Sequence, residues 1–456
     1  VEVIDASQSS INLDPYTSSV KINVEAFPIN ATNLRLNYVF IPNSGTISAD
    51  TVEITYSDNE ATITLKKFDV AGNATLRIIA YDSYTTAGSF TTYLDIPINI
   101  ANGSEQNPYV ISTASDIYKM IDTNFAYYYK VVGTIDVSSI DWAYGQYVLT
   151  GVITSDNGAT LSGFEIDSFT QEGNSYYSGI FKEISGMIEN VSFETRINLD
   201  FTGSSQATDQ SSGYIGALAA INNGTIKDVY VKIDGGQVRA SGSLYLNFGG
   251  LVGQNNGTII TEITSDSTFT NLVSYENKLT FDLDTNSTFS LYIGGAVGEN
   301  TNRGSIERTI ESGLVEFNNG FTTVDVNIEI SIVNSTNSTV AVGGIVGYNR
   351  GSVLNVSAIG TLSASTADNV GGIVGNNSGT LSGGKTQVYV LGSENVGGAV
   401  GYNSGTITSV KVENIYLAGH EITLISGMNN VGGIVGNMAG GSLTSSSFIS
   451  YYTTSQ

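Results

Sequence analysis

The chain has 456 residues and a formal net charge of -24, because 42 Asp and Glu outnumber 18 Lys and Arg. A surface this acidic repels phosphate backbones, which excludes nucleic acid as a partner. The absence of cysteine excludes disulfides and thiolate metal sites. No apolar run approaches the roughly 18 residues of a membrane-spanning helix, so we expect no membrane span. Only 13% of residues are charged, and the abundance of Gly, Ser, Thr, Asn and Tyr is common in extracellular repeat proteins.

Residues 1–100 contain short runs of alternating apolar and polar residues, such as SVKINVEAF, TVEITYS and FTTYLDIPINI. This alternation, enriched in Val, Ile, Thr and Tyr, predicts an Ig-like antiparallel β-sandwich of roughly seven strands. The first strand is expected from Val1 to Ser7. Within it, Val1, Val3 and Ile4 form a candidate assembly strand for exchange between copies. The polar segment ANGSEQNP, residues 101–108, is expected to be a linker, and residues 109–456 a second domain.

Beyond the linker, one segment recurs eight times, for example as GGLVGQNNGTI, GGIVGYNRGSV and GGAVGYNSGTI. A single copy cannot bury its apolar face, whereas stacked copies can, so the repeats predict a parallel β-solenoid. The spacing between starts ranges from 26 to 49 residues, which indicates insertions of varying length. The copies start at Ser178, Gly216, Gly249, Gly294, Gly343, Gly371, Gly397 and Gly432.

Each copy is expected to form a strand, a tight turn and a second strand. Along VGGIVG, alternation would place Val342, Gly344 and Val346 on one face of a single strand. The following YNRG would be a turn in which Asn349 and Gly351 have φ above zero. Glycines weaken an isolated strand, so we expect the repeat glycines where backbones or layers approach closely. These glycines are Gly249, Gly250, Gly294, Gly295, Gly343, Gly344, Gly371, Gly372, Gly397, Gly398, Gly432 and Gly433.

One asparagine occupies the same position in six copies. Stacking would bring these side chains together, so they would hydrogen-bond along the axis as an amide ladder. Alternatively, each asparagine only favours its own turn, and the sequence leaves both possibilities open. The copy at Gly432 has Met438 near this position and is expected to break the ladder. The six residues are Asn222, Asn255, Asn300, Asn349, Asn377 and Asn403.

The repeat unit closely resembles the GLUG motif of repeat-containing secreted and surface proteins. The upstream segments GSEQNPYVISTASDIYKM and GVITSDNGATLSGFEI resemble the coils that precede such repeats. The resemblance covers residues 103–443 and is more specific for architecture than for function. It implies a right-handed parallel β-helix displayed outside the cell, often on adhesins or other large surface proteins.

Some proteins with the GLUG motif are zinc peptidases that cleave immunoglobulin. Here His420 and Glu421 begin like the H-E-x-x-H motif, but Leu424 occupies the place of the second histidine. Zinc in that motif needs both histidines on one helical face, so the sequence predicts no such site. We expect no resident cofactor. Asp282 and Asp284 offer oxygens for a structural calcium ion, although they lack a regular calcium-binding loop.

Parallel β-helices also include polysaccharide lyases and glycosidases, whose reactions need clustered carboxylates. The regular coils from residue 343 onwards hold only four acidic residues. Carboxylates are denser in the first coils, near Trp142 and Tyr144, two rings able to stack on a sugar. We favour the interpretation that these carboxylates belong to turns and to a cap at the end of the solenoid. They are Asp136, Asp141, Asp156, Glu165 and Asp167.

The sequence therefore predicts a non-catalytic, secreted structural or adhesive protein of a cell surface. Its partner would be either a second copy, in a filament, sheath or surface layer, or a host or cell-surface ligand, protein or glycan, bound by an adhesin stalk. A glycan-active β-helix enzyme, a polysaccharide lyase or a glycosidase, is the alternative. We expect no catalytic residues.

Overall fold

A computed structural model describes residues 2–27, 34–57, 59–82, 92–202, 211–263, 271–284, 289–310, 322–333, 339–413, 415–417, 420–422 and 425–449. The described chain is almost entirely β, with one 3-10 turn, Ala114–Asp116, and one α-helix, Ile117–Asp122. No described helix has the length and hydropathy needed to cross a membrane.

The chain divides into two compact units. The first comprises Val1–Ile111, Tyr118–Thr123 and Tyr127–Lys130, and the second comprises Ser112–Ile117, Asn124–Ala126 and Val131–Gln456. The linker expected at residues 101–108 stays a prediction.

Residues 1–100 of the first unit form two four-stranded sheets, so eight strands are described there, where the sequence predicted about seven. Side chains from both sheets form one core, in which Ile22, Ile63, Leu76 and Ile98 are at most 1% exposed. One sheet, entirely antiparallel, has the strand order Glu2–Ala6, Ser19–Phe27, Glu60–Leu65 and Val52–Ser57. The other has the strand order Ile11–Leu13, Thr92–Ile100, Gly72–Asp82 and Leu34–Pro42.

One pair of strands in this unit departs from the antiparallel expectation. The three-residue strand Ile11–Leu13 pairs parallel with Thr92–Ile100. A segment of three residues is too short for alternation to reveal, and its direction depends on a partner more than 80 positions away. The sequence therefore could not show this pairing.

The candidate assembly strand lies at the edge of the first sheet. Val1 is outside the described residues, and the strand Glu2–Ala6 pairs antiparallel with Ser19–Phe27, with Val3 opposite Ala26. The register shifts between Val3 and Asp5, on either side of Ile4. An edge strand leaves one row of backbone groups without a strand partner. Strand exchange through this segment stays a prediction.

The second unit is a parallel β-solenoid in which each coil passes through three sheets. The strands of the first solenoid sheet are Thr170–Glu172, Ser175–Ser178, Ser211–Gly216, Leu244–Gly249, Phe289–Gly294, Thr339–Gly343, Asn369–Gly371, Asn395–Gly397 and Val431–Gly432. The strands of the second solenoid sheet are Val148–Leu149, Phe181–Ile184, Ala219–Asn222, Val252–Asn255, Val297–Asn300, Val346–Asn349, Val374–Asn377, Val400–Asn403 and Val435–Met438. All pairs in these two sheets are parallel except Thr170–Glu172 with Ser175–Ser178.

The third solenoid sheet takes one long strand or two or three successive strands from each coil. Its strands in the second unit are Thr134–Asp136, Val152–Ile166, Met187–Thr202, Thr225–Lys227, Tyr230–Ser241, Thr258–Ile263, Asn271–Asp284, Ser305–Ile310, Thr322–Val333, Ser352–Leu354, Val356–Ser363, Thr380–Ser382, Lys385–Leu391, Thr406–Thr408, Lys411–Glu413, Ile425–Ser426, Ser442–Thr444 and Ser447–Ile449. Two further short strands, Tyr109–Ile111 and Tyr128–Val131, belong wholly or mostly to the first unit. A separate antiparallel hairpin joins Ile415–Leu417 to His420–Ile422.

The same spacing recurs within each copy of the repeat and keeps the coils in register despite their different lengths. Val346 pairs with Val374, which is in line with Val400 of the next coil. Nine strands at a separation of about 4.8 Å extend roughly 38 Å along the second solenoid sheet. The interior valines and isoleucines stack in continuous columns, and Val346, Val374 and Val400 have no exposed surface.

Two details of the predicted repeat unit are wrong. VGGIVG is not one strand, because Gly344 and Ile345 form a corner between Thr339–Gly343 and Val346–Asn349. Alternation along a sequence does not reveal a corner between two sheets. Asn349 and Gly351 also lack positive φ. The left-handed residues lie one corner later, for example Asn355 at φ 53° and Ser409 at φ 58°.

The repeat glycines lie at close backbone contacts around this corner. In eleven of the twelve predicted glycines, an added Cβ would come within 2.2 Å of a carbonyl oxygen. Gly343 would meet the oxygen of Val346 at 1.9 Å, and Gly344 that of Gly372 at 2.1 Å. The exception is Gly433, where the Cβ would lie 2.8 Å from the Phe448 ring. Side chains larger than hydrogen do not fit at these corners.

A third column of glycines, missed in the sequence, joins the first and second solenoid sheets. A Cβ on Gly375 would lie 2.5 Å from the backbone nitrogen of Val342, which belongs to the preceding coil. At this position the two sheets therefore meet backbone to backbone. We call this column the glycine seam; it consists of Gly253, Gly298, Gly347, Gly375, Gly401 and Gly436.

The glycine seam predicts that adding a single methyl group strongly destabilises the second unit. We expect Gly375→Ala to destabilise the second unit by about 3 kcal/mol or more, because the clashing atoms belong to the backbone and cannot rotate away. Gly384→Ala is the matched control, since its Cβ would meet only side-chain ends, the nearest being Ile373 Cδ1 at 2.8 Å. Thermal unfolding followed by circular dichroism measures both. Equal melting temperatures for the two variants would contradict the backbone contact.

Candidate functional site

The six predicted asparagines form one hydrogen-bonded column inside the solenoid. Each side chain has 0% exposure, and each of the first five donates its Nδ2 amide to the Oδ1 of the next asparagine. The distances from Asn222 through Asn255, Asn300, Asn349, Asn377 and Asn403 are 2.8, 2.9, 2.9, 2.8 and 2.6 Å. The in-register stacking of the second solenoid sheet brings the amides together. We call this column the asparagine ladder.

Backbone groups at the corner satisfy most of the remaining hydrogen-bonding capacity. Asn349 also donates to Thr380 O at 3.2 Å, and its Oδ1 accepts from Gly351 N at 3.2 Å. The ladder thus joins neighbouring coils and fixes the corner, so the two alternatives considered from the sequence operate together. At the last rung, Asn403 approaches Met438 Sδ at 3.5 Å, a weak acceptor.

A second, shorter row of asparagines lies on the first solenoid sheet. Asn395 donates to Asn369 Oδ1 at 2.8 Å, and Asn430 donates to Asn395 Oδ1 at 2.9 Å. Asn437 also donates to Asn395 Oδ1, at 3.2 Å. The signal was in the sequence, because NVGG begins with asparagine at 369, 395 and 430. Sequence reasoning missed it by treating the segment as a strand without chemistry.

A buried carboxylate, Glu299, organises polar groups from several coils. Its side chain is 1% exposed and forms an ion pair with Arg350. Its Oε2 accepts hydrogen bonds from Tyr245 at 3.1 Å, Asn247 at 3.0 Å and Gln254 at 3.0 Å. Burial and the Glu299 charge raise the pKa of Tyr245. The carboxylate is fully engaged by these partners, so we interpret the cluster as a structural crosslink.

The structure brings several predicted carboxylates of the first coils into one cavity of about 500 Å³. Asp141, Glu165 and Asp167 line it with Tyr144, whose hydroxyl accepts from Glu165 N at 2.8 Å. Burial raises the pKa of Tyr144 to about 12. Sequence reasoning missed three further lining residues that come from later coils: Glu194, Arg196 and Asp234.

Other residues predicted in this region lie elsewhere or serve the core. Trp142 is 7% exposed, donates its indole N–H to Ile180 O at 2.8 Å and packs edge-on against Phe164, so its ring is not a free stacking surface. Asp136 accepts from Ser138 N at 2.9 Å, and the Ser138 hydrogen bonds lower its pKa. Asp156 is exposed and does not line the cavity.

The residues considered as metal ligands do not form a metal site among the described residues. Asp282 accepts a hydrogen bond from Gln237, and the side chain of Asp284 lies outside the described part. His420 lies in a hairpin strand opposite Leu417. No group of three or more His, Asp or Glu able to hold a metal occurs among the residues that the structure describes. Structural calcium stays a prediction.

No family model and no curated protein sequence matches the chain. A solved structure described as IgA1 Protease aligns with 94% of this chain at 12% identity and a TM-score of 0.35. The alignment spans 29% of that protein, so the chain covers less than a third of its length. A likeness at this level carries no argument about fold or activity, and the GLUG resemblance stays a hypothesis.

The asparagine ladder predicts a pH-dependent defect when one amide becomes a carboxyl group. Asn377→Asp removes the donor to Asn403, and burial should raise the pKa of the new carboxyl group above its unfolded value of about 3.9. A raised folded pKa means that stability is retained at low pH, where the acid can donate, and lost as pH rises through that pKa. We expect a loss on the order of 3 kcal/mol at pH 7 and a smaller loss at pH 4.

Asn376→Asp is the matched control, because Asn376 is adjacent to Asn377 and only half-buried on the opposite face of the same strand. Its loss of stability at pH 7 should be smaller than that of Asn377→Asp, because the half-buried carboxylate keeps contact with solvent. Chemical unfolding of both variants across this pH range provides the comparison. A pH-independent loss in Asn377→Asp would contradict the prediction that the protonated acid restores the donor to Asn403.

Proposed function

We propose that the chain is a non-catalytic, extracellular structural or adhesive protein of a cell surface. Its first unit would be an Ig-like sandwich and its second a right-handed β-helix of the GLUG type. The observation that carries the proposal is the asparagine ladder, which joins six successive coils through buried hydrogen bonds. Such a solenoid resists local opening, because separating two coils leaves buried amides without partners. This stiffness suits a scaffold or stalk.

Self-association is one of two mechanisms compatible with this role. Within the described residues, the coil that contains Val431 and Leu443 has apolar side chains that are more exposed than their counterparts in the preceding coil. Val431 is 49% exposed and Leu443 is 39% exposed, whereas their register partners Val396 and Ile407 have no exposed surface. Exposed apolar groups favour association with a complementary surface. Under this mechanism, a second copy would cover these side chains in a filament, sheath or surface layer.

The other mechanism is adhesion, in which the solenoid displays a binding surface for a host or cell-surface ligand. Repeat proteins present extended surfaces of this kind, because each coil adds one rung to every outward column. The acidic chain would keep free copies apart in solution at low ionic strength. Both mechanisms need the same scaffold and differ in what binds to it.

Electron microscopy and light scattering at several protein concentrations test the choice. If this coil mediates self-association, the intact chain should form assemblies that grow with concentration, and Val431→Asp with Leu443→Asp should abolish them. A variant lacking residues 1–10 tests strand exchange separately, and Ser442→Asp is a control at an exposed polar position of the same coil. Monodisperse particles at every concentration would contradict self-association and leave adhesion as the proposed mechanism.

One observation favours the enzymatic alternative, namely the cavity shared by Asp141, Glu165, Asp167, Glu194 and Arg196. Clustered carboxylates beside a cation are what glycan cleavage requires. Under our main proposal, incubation with a panel of polysaccharides should release no reducing ends or unsaturated products. Turnover that disappears in Glu165→Gln or Asp167→Asn, and survives in Asp156→Asn outside the cavity, would establish the enzyme instead.

A further inference from the structure

The glycine seam creates a groove on the outer surface of the solenoid. Side chains on one face of the first solenoid sheet lie opposite side chains that the next coil carries on the second solenoid sheet. Tyr292 and Tyr348 meet across it with ring centroids 4.9 Å apart, and Asn395 and Asn437 meet at 3.2 Å. We call it the seam groove. Its two columns are Tyr214, Asn247, Tyr292, Ala341, Asn369 and Asn395, and Gln254, Glu299, Tyr348, Asn376, Tyr402 and Asn437.

The groove is filled at one end and open in the middle. Near Glu299, carboxylate, amide and tyrosine side chains pack against each other and against Arg350. Beyond Tyr348 the first column carries Ala341, a buried residue with a short side chain. A cavity of about 470 Å³ opens there, within the size range of small-ligand sites. It is lined by Thr339, Asp368, Asn369, Asn376, Glu394, Asn395 and Tyr402.

Hydrogen-bonding groups without protein partners surround this cavity. Asn369 is only 7% exposed, and although its Oδ1 accepts from Asn395, its Nδ2 amide has no partner among the described residues. The amide of Asn376 and the hydroxyl of Tyr402 also have none there. None of these atoms is among the buried side-chain atoms left without a partner in the described residues, so each reaches the cavity surface and is open to a ligand. The arrangement therefore points to a ligand that supplies several hydroxyl groups.

The carboxylates add hydrogen-bond acceptors and disfavour ligands that carry negative charge. Asp368 accepts from Val340 N at 2.8 Å through Oδ2, and Glu394 is exposed at the rim. Burial raises the pKa of Asp368, with a smaller contribution from the Glu394 charge. Two carboxyl groups accept hydrogen bonds from sugar hydroxyls and repel anionic sugars.

We propose that this cavity binds a neutral sugar residue of a polysaccharide, with the Tyr402 ring against the sugar face and the amides of Asn369 and Asn376 on its hydroxyls. Aromatic rings with amide and carboxylate groups match the apolar face and the hydroxyl edge of a pyranose. Tyr348 lies one rung beyond Asn376, so a longer glycan has a further ring along the groove. This inference rests on the adhesive form of the proposed function and names its ligand class.

The test is binding of the full chain to an array of neutral oligosaccharides of glucose, mannose, galactose and N-acetylglucosamine, with oligogalacturonate as the anionic probe. Binding to at least one neutral oligosaccharide and none to oligogalacturonate is expected. Isothermal titration with the best oligosaccharide then compares variants. Tyr402→Ala should weaken binding at least ten-fold, and Tyr402→Phe should retain most of it. Tyr389→Ala, on the third solenoid sheet, should change nothing.

A folding control and a second rim substitution are needed to interpret the binding results. Melting temperatures show whether each variant folds, and Glu394→Gln offers a second rim substitution at an exposed position. Glu394→Gln should weaken neutral-glycan binding or admit the anionic probe. No binding to any neutral oligosaccharide, or binding that EDTA abolishes, would overturn the proposal, the latter because the carboxylates would then serve a cation. Failure here leaves the structural role intact, since the assembly and unfolding measurements test that role independently.

Discussion

The close approach of backbones at the glycine seam is the constraint on which the rest of the solenoid depends. Because Gly375 and its equivalents carry no Cβ, the second solenoid sheet lies directly against the backbone of the preceding coil of the first. The corner at Gly344 and Ile345 is correspondingly sharp. An ordinary side chain layer would separate the sheets by about 10 Å. Without that layer, the two sheets form a narrow edge with a groove outside and a packed interior behind.

The asparagine ladder depends on that geometry. Parallel strands in exact register place identical side chains one above another, so the donor of one amide faces the acceptor of the next. All the amide dipoles then point the same way along the axis, and each hydrogen bond polarises its neighbours. Coils of different length tolerate this order because their variation falls in the third solenoid sheet. Its strand Thr322–Val333 is nearly twice as long as Lys385–Leu391, two coils later.

The sequence revealed the features that repeat along the chain and not those that arise between coils. The positions of Asn349 and Gly344 were legible, because a period of 26 to 49 residues exposes them without any knowledge of the sheets. The corner between Gly343 and Val346 was not, since alternation continues through it. Trp142 looked like a surface ring, whereas its environment is set by Phe164 and Ile180, more than 20 positions away. The seam groove combines residues of successive coils, which no single copy displays.

Because side chains alternate between the two faces of each strand, one residue stabilises the solenoid and its neighbour is available for binding. Asn376 and Asn377 are adjacent, yet Asn377 lies in the ladder and Asn376 lines the open cavity. Tyr402 and Asn403 divide in the same way in the next coil. The outward residue of each pair contributes no rung to the ladder, so its identity is free to vary while the coil keeps its register. A solenoid built this way can change what it binds, one outward position at a time, while the buried amides and the glycine seam hold the scaffold constant.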